Sequence, residues 1–135
     1  MGLDMYLHRV NKAERKLRED GKIDHLNYEE VAYWRKANQI RKWIVDNTKY
    51  EPDWDCVSMK IGKKKLKKLK EDCETVLADH SKAVEILPTS QGFFFGDDEY
   101  DEYYYQQLEY TVETLDKILK ETDFDKYRIE YYEWW

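Results

Sequence analysis

Leu3-Asp4-Met5-Tyr6-Leu7-His8-Arg9-Val10 puts Leu3, Met5 and Leu7 on one side of an extended chain and Asp4, Tyr6 and His8 on the other. That period of two is the signature of a half-buried strand. The far end of the chain, Tyr127-Arg128-Ile129-Glu130-Tyr131-Tyr132-Glu133-Trp134-Trp135, alternates in the same way and is expected to return to the sheet beside the first strand. Between these ends the apolar spacing becomes helical. Tyr33, Ala37, Ile40 and Ile44 recur at steps of four and three and predict a helix over 33–47. Leu66, Leu69, Cys73, Val76 and Leu77 predict a second helix from about Gly62 to Asp79, with another turn or two from Ser81 to Leu87 before Pro88 stops it. Tyr100, Tyr104, Leu108, Val112, Leu115 and Leu119 predict a third, ending near Thr122, with Asp97, Asp98 and Glu99 at its N-terminal dipole. The fold class is therefore α+β: a small antiparallel sheet, N-terminal and C-terminal strands paired, packed against three main helices.

The remaining segments read less regularly. Asn11 to Asp20 is charged and helix-tolerant, with Gly21 placed to close it as a short surface helix. Tyr28-Glu29-Glu30-Val31 has strand character. Thr48 to Cys56 contains Pro52 and suggests a loop before a brief extended stretch at Cys56-Val57. The sheet thus has three or four strands. At 135 residues the chain is one domain, 1–135. Its hydrophobic fraction of 41% is modest, but aromatic rings at 16% bury large areas each and supply much of the core.

A formal net charge of -6 argues against general nucleic-acid binding, where a basic domain is expected. Cys56 and Cys73 have no metal-ligand spacing around them and read as reduced thiols. No secretory signal opens the chain, Tyr6 stands where an acylation motif needs Ser or Thr, and no apolar run is long enough to span a membrane. The expected location is the cytoplasm.

Ligand chemistry concentrates in two places. Arg35, Lys36, Asn38, Gln39 and Lys42, flanked by Trp34 and Trp43, combine cation and amide groups with stacking indoles, a mix suited to a nucleotide-like molecule. The loop Thr89-Ser90-Gln91-Gly92-Phe93-Phe94-Phe95-Gly96 offers hydroxyl and amide side chains and approachable backbone, but lacks the Lys and hydroxyl spacing of a P-loop. The candidate ligand-binding set is Trp34, Arg35, Asn38, Gln39, Trp43, Thr89, Gln91 and Phe95; the competing reading places both tryptophans and the phenylalanines in the core. Seven lysines between Lys60 and Lys70 read as a solvated helix face, and the run Asp97 to Glu102 lacks calcium-loop spacing. His8, His25 and His80 are scattered and form no triad signature, although Asp4, Tyr6 and His8 share one face that could reach Tyr33. No catalytic residue, metal site or cofactor is assigned.

With these segments in view, the chain resembles a family of short phage and prophage proteins that open Met-Gly-Leu-Asp-Met-Tyr-Leu. The shared blocks are Tyr33-Trp34-Arg35-Lys36-Ala37-Asn38 with Ile40 and Trp43, Leu87-Pro88-Thr89, Gly92-Phe93-Phe94-Phe95-Gly96, Glu99 to Tyr104, and Trp135. It departs from the family at Arg41, where relatives have His, and at Tyr132-Glu133-Trp134, where they have a serine-rich end. The resemblance implies a phage setting, hence the host cytoplasm, and an accessory role such as countering host defence. The resulting expectation is a non-enzymatic protein that sequesters a small nucleotide-derived ligand. Inhibition of a host protein through exposed Tyr103, Tyr105, Tyr110 and Tyr132 is the alternative, a small-molecule enzyme a further one, and a homo-oligomer stays open.

Overall fold

A computed structural model describes residues 2–14, 16–17, 23–24, 28–50, 58–91 and 98–134. Strand β1 (Asp4–Asn11) leads through a 3-10 turn at Lys12–Glu14 to a minor antiparallel pair, β2 (Lys16–Leu17) with β3 (Ile23–Asp24). The chain then forms β4 (Tyr28–Arg35), α1 (Asn38–Asn47), β5 (Met59–Ile61), α2 (Lys63–Ala78), a second 3-10 turn at His80–Lys82, α3 (Ala83–Ile86), α4 (Glu102–Glu121) and β6 (Tyr127–Trp134). The main sheet is antiparallel with order β4-β1-β6-β5, so β1 is interior and β4 is an edge. The α+β class, the pairing of first and last strands and the three main helices are as the periodicity predicts, and among the described residues the main sheet has four strands.

Side-chain alternation sorts the sheet into two faces. Leu3, Met5 and Leu7 are 0–1% exposed and join Ala32, Trp34, Ile129 and Tyr131 in a core completed by Ile40 and Ile44 of α1, Leu66, Leu69 and Val76 of α2, and Leu108, Leu115 and Ile118 of α4. Helices α2 and α4 pack on each other in that layer. The opposite face carries Asp4, Tyr6 and His8. A register shift between Leu7 and His8 leaves Val31 as an extra residue in β4, a bulge that twists an edge strand away from further pairing.

Several sequence expectations are corrected. Residues 33–35 are strand, not helix: Ala32 and Trp34 are buried while Tyr33 and Arg35 are exposed, a period of two. The chain changes direction at Lys36, whose φ of 55 is left-handed, and α1 begins at Asn38. Asn11 to Asp20 is not a surface helix, since Lys16–Leu17 pairs as a strand. Asp101, rather than Asp97 to Glu99, caps α4 by accepting from the Tyr104 N–H at 3.0 Å. Helix α2 and the end of α4 at Thr122 match the sequence reading. Cys56-Val57 and the phenylalanine run lie outside the described residues. No described helix is long and apolar enough to cross a membrane.

A buried carboxylate locks α1 to the last strand. Glu133, 2% exposed, accepts from Arg41 Nε at 2.8 Å and Nη2 at 3.2 Å, and from the hydroxyls of Tyr50 and Tyr131, both at 2.9 Å. Four donors satisfy a charge that burial would otherwise penalise heavily. Burial and then the Glu133 charge push the Tyr131 phenol well above its ordinary value.

Two variants test this packing by urea denaturation. Leu108→Ala removes a fully buried side chain and is expected to lower unfolding free energy by about 2–5 kcal/mol; a change near zero would refute the placement of α4. Arg41→Ala leaves Glu133 buried without its counter-charge, held only by the Tyr50 and Tyr131 hydroxyls, with an expected loss of about 3–5 kcal/mol; an unchanged midpoint would show that the pair is unimportant.

Candidate functional site

The junction between β4 and α1 is where cations, amides and rings converge. Lys36 ends the strand by donating its N–H to the Leu3 carbonyl at 2.7 Å, and its aliphatic stem lies over Gly2 so closely that a Cβ there would stand 2.8 Å from Lys36 Cε. A lysine held at positive φ is strained relative to glycine, and such residues collect at functional positions.

Helix α4 docks along the edge of β4 and occupies its open hydrogen-bonding groups. The Tyr33 N–H donates to Tyr110 Oη at 3.0 Å, and the Arg35 carbonyl accepts from Tyr103 Oη at 3.1 Å and Gln107 Nε2 at 3.2 Å. Behind them the Trp34 indole donates to Thr111 Oγ1 at 2.8 Å and Gln39 Nε2 to Gln107 Oε1 at 2.7 Å. On the other side the chain after α3 is pinned in place: Ser90 N–H donates to Asn38 Oδ1 at 3.1 Å and Thr89 Oγ1 to the Asp98 carbonyl at 2.8 Å.

These contacts leave two adjoining depressions. One, of about 330 Å³, lies between Lys36, the Asn38-Gln39 floor, Thr89 and the first turn of α4 with Tyr103, with Glu99 and Asp101 on the rim. The other, of about 220 Å³, runs over Trp34 and Arg35 between Tyr33 and Tyr110. Tyr103 and Gln107 line both. Tyr103 is 54% exposed, and Tyr33 and Tyr110 are 39% exposed each, so three rings surround the Arg35 groove. Among the described residues neither Arg35 nor Lys36 forms an ion pair, whereas Asp101 is already engaged as the α4 cap. Arg35 and Lys36 thus bring two cations to the cleft, beside the Glu99 and Asp101 carboxylates of its rim.

Of the predicted site residues, the structure brings together Asn38, Gln39 and Thr89 in the first depression and Trp34 and Arg35 in the second. Their roles differ from expectation. Asn38 and Gln39 are 2% exposed and hydrogen-bonded within the protein, so they build the floor. Trp34 is 3% exposed and serves as a wall. Trp43 is not at the site: it is buried, with its indole donating to Asp72 Oδ2 of α2 at 2.8 Å. Gln91 is exposed and donates to Asp98 Oδ2 at 2.8 Å, and Phe95 lies outside the described residues.

Sequence reasoning missed Tyr103, Gln107 and Tyr110 as site residues. Their spacing of four and three puts them on one side of α4, with Tyr103 and Tyr110 exposed and Gln107 at the margin of its buried stripe, and that pattern was the available signal. Of the four tyrosines expected at the surface, Tyr103 and Tyr110 are exposed, while Tyr132 and Tyr105 are half-buried, Tyr105 stacking on His80 at 3.8 Å.

Possible reactive groups are dispersed. Cys73 is fully buried and desolvation pushes its thiol up, which disfavours the nucleophilic thiolate. His8 lies on the outer sheet face and His80 beyond α2, while His25 is outside the described residues. Among the described residues no three His, Cys, Asp or Glu side chains are placed to hold a metal ion. The lysines of α2 form a solvated face, with Lys68 paired to Asp72 and Lys70 to Asp116, both at 3.0 Å. Comparison with protein families, curated proteins and solved structures finds no match for this chain.

Tyr33 reports on the site's electrostatics. Its hydroxyl donates to Asp4 Oδ1, and that bond first, with partial burial and the Asp4 charge behind it, raises the phenol to about 12. A raised value favours the protonated phenol in the folded state, so this contribution is full below about pH 10 and disappears as pH rises through about 12. In Asp4→Asn, Tyr33 is expected to titrate closer to 10 by NMR; an unmoved titration would exclude Asp4 as the cause.

Proposed function

We propose that this chain is a non-enzymatic binding protein whose edge cleft sequesters a small ligand carrying an anionic group and a planar ring, such as a nucleotide-derived signal. The observation that carries this reading is the pairing of two uncommitted cations, Arg35 and Lys36, with the exposed rings of Tyr33, Tyr103 and Tyr110 around adjoining depressions. Guanidinium and ammonium groups take phosphate oxygens, the guanidinium with forked geometry, and tyrosine faces stack on bases without demanding one sequence. The acidic chain as a whole favours a small anion over a polyanion, because a long phosphate backbone would meet net repulsion beyond the cleft. In the phage setting that the sequence blocks suggest, the ligand is a host signalling nucleotide and the protein works in the host cytoplasm.

Calorimetry and thermal-shift measurements against cyclic nucleotides and ADP-ribose-type nucleotides test the proposal. One of them is expected to bind stoichiometrically and to be recovered unchanged after the protein is denatured; altered ligand would establish turnover instead. Arg35→Ala should leave the denaturation midpoint unchanged, since the side chain is exposed, and weaken binding by about tenfold or more. Failure of every nucleotide to bind would defeat the reading.

A second reading has its own support. Tyr33, Tyr103 and Tyr110 are exposed around an arginine, the residue types that dominate protein interfaces. Inhibition of a host protein through this surface predicts a stoichiometric partner, lost with Tyr103→Ala, in pull-downs from host lysate.

A further inference from the structure

The face of the sheet turned away from the helices is built from rings. Tyr6 lies 5.2 Å from Tyr33 and 5.9 Å from Tyr132, centroid to centroid. His8 stacks on Tyr28 at 4.3 Å and on Tyr132 at 6.0 Å. Strand register explains the arrangement: Tyr6 is opposite Tyr33 on one flank and Tyr132 on the other, and His8 is opposite Glu30 and Glu130. Together Tyr6, His8, Tyr28, Glu30, Tyr132 and Trp134 enclose a shallow depression of about 300 Å³.

Two properties restrict what this depression can hold. Tyr28 is 51% and Trp134 55% exposed, so large aromatic faces meet solvent on opposite sides of it. Its lining carries one carboxylate and no Lys or Arg: among the described residues Glu30 is not ion-paired, Asp4 beyond the lining accepts from Tyr33 Oη and lies opposite Arg35, and the nearby Arg128 is committed to Glu130 at 3.2 Å. Both carboxylates act on Tyr6, whose phenol is raised by partial burial first and then by Asp4 and Glu30. Aromatic faces carry negative quadrupole potential, and several faces beside a carboxylate form the receptor geometry for a soft cation. A nucleic-acid strand would use such a stacking row only with basic groups for its phosphates, and the lining of this depression supplies the Glu30 carboxylate instead.

We propose that the outer face of the sheet is a cation–π site for a small quaternary ammonium ion of the choline class, seated among Tyr6, Tyr28, Tyr132 and Trp134 beside Glu30. A quaternary ammonium has no N–H to lose and sheds its water readily, so ring faces replace its hydration while Glu30 supplies the counter-charge. This assignment is independent of the ligand taken by the edge cleft.

The test titrates the full chain by calorimetry and ligand-observed NMR with choline, tetramethylammonium and 3,3-dimethylbutan-1-ol, the uncharged counterpart of choline. Both cations are expected to bind saturably and the alcohol at least about tenfold more weakly. Tyr28→Ala, Trp134→Ala and Glu30→Gln alter exposed side chains and are expected to weaken choline about fivefold or more each at an unchanged denaturation midpoint. Arg35→Ala should leave choline binding intact, separating this site from the cleft. Equal affinity for the alcohol, unchanged affinity in all three variants, or no saturable binding of either cation would overturn the proposal. So would displacement of choline by oligothymidylate, or a trimethyllysine peptide binding at least about tenfold tighter than choline, since either would assign the face to a macromolecule.

Discussion

Strand β1 has neighbours on both flanks, and the rest of the structure depends on that double pairing. Met5 is opposite Trp34 and Glu133, and Leu7 is opposite Ala32 and Tyr131. Side chains alternate along a strand, so a slip of one residue on either flank would turn the buried set of β1 to solvent and drive Asp4, Tyr6 and His8 into the helical layer. The cost of burying a carboxylate and an imidazole without partners far exceeds that of most single contacts. One register therefore determines both the core and the composition of the outer face. The residues excluded from the core by this rule create the ringed surface opposite the helices, with Glu30 beside its depression.

Glu133 is an apparent exception, because the same rule points a carboxylate inward. The four donors from Arg41, Tyr50 and Tyr131 resolve it. Such a cluster contributes less to net stability than an apolar replacement of equal volume could, but it tolerates few alternative arrangements. It joins α1 to β6, elements separated by most of the chain, and so fixes the orientation of the helix whose N-terminus forms the cleft floor.

Much of this was legible because long elements repeat their pattern. β1, α2, α4 and β6 each show enough cycles for the period to be unambiguous. The β4–α1 boundary was not. Tyr33 lies at helical spacing from Ala37 and also continues a strand alternation with only Ala32, Trp34 and Arg35 to support it. The turn between them is made by a lysine at positive φ, so no glycine or proline marks it. β5, at three residues, is too short to show a period, and the charged composition around Lys16 hid a strand pair whose stability is set by tertiary context rather than propensity. For the site, residue types pointed to the β4–α1 junction beside which the two depressions lie, but not to the part that each side chain plays in the packing. Asn38 and Gln39 looked like ligand-reading groups on a helix face; at the first turn of α1, packed against α4 and the Thr89 segment, their amides satisfy the protein itself. Trp43 looked like a flanking ring, yet its indole belongs to the contact between α1 and α2.

Edge strand β4 carries opposite charges toward its two ends, and this separates the two proposed recognition surfaces. Glu29 and Glu30 lie near its start, Arg35 and Lys36 at and just beyond its end. Glu29 is paired with Arg9 at 3.3 Å, which leaves Glu30 as the uncommitted charge of the first end. The strand therefore presents an uncommitted anion at one end and two uncommitted cations at the other, each beside exposed tyrosines. Fields of opposite sign this close together favour small ligands of single charge, since an extended polyion would gain at one end what it loses at the other. That constraint, more than the overall acidity of the chain, is the physical argument for reading both surfaces as small-molecule sites.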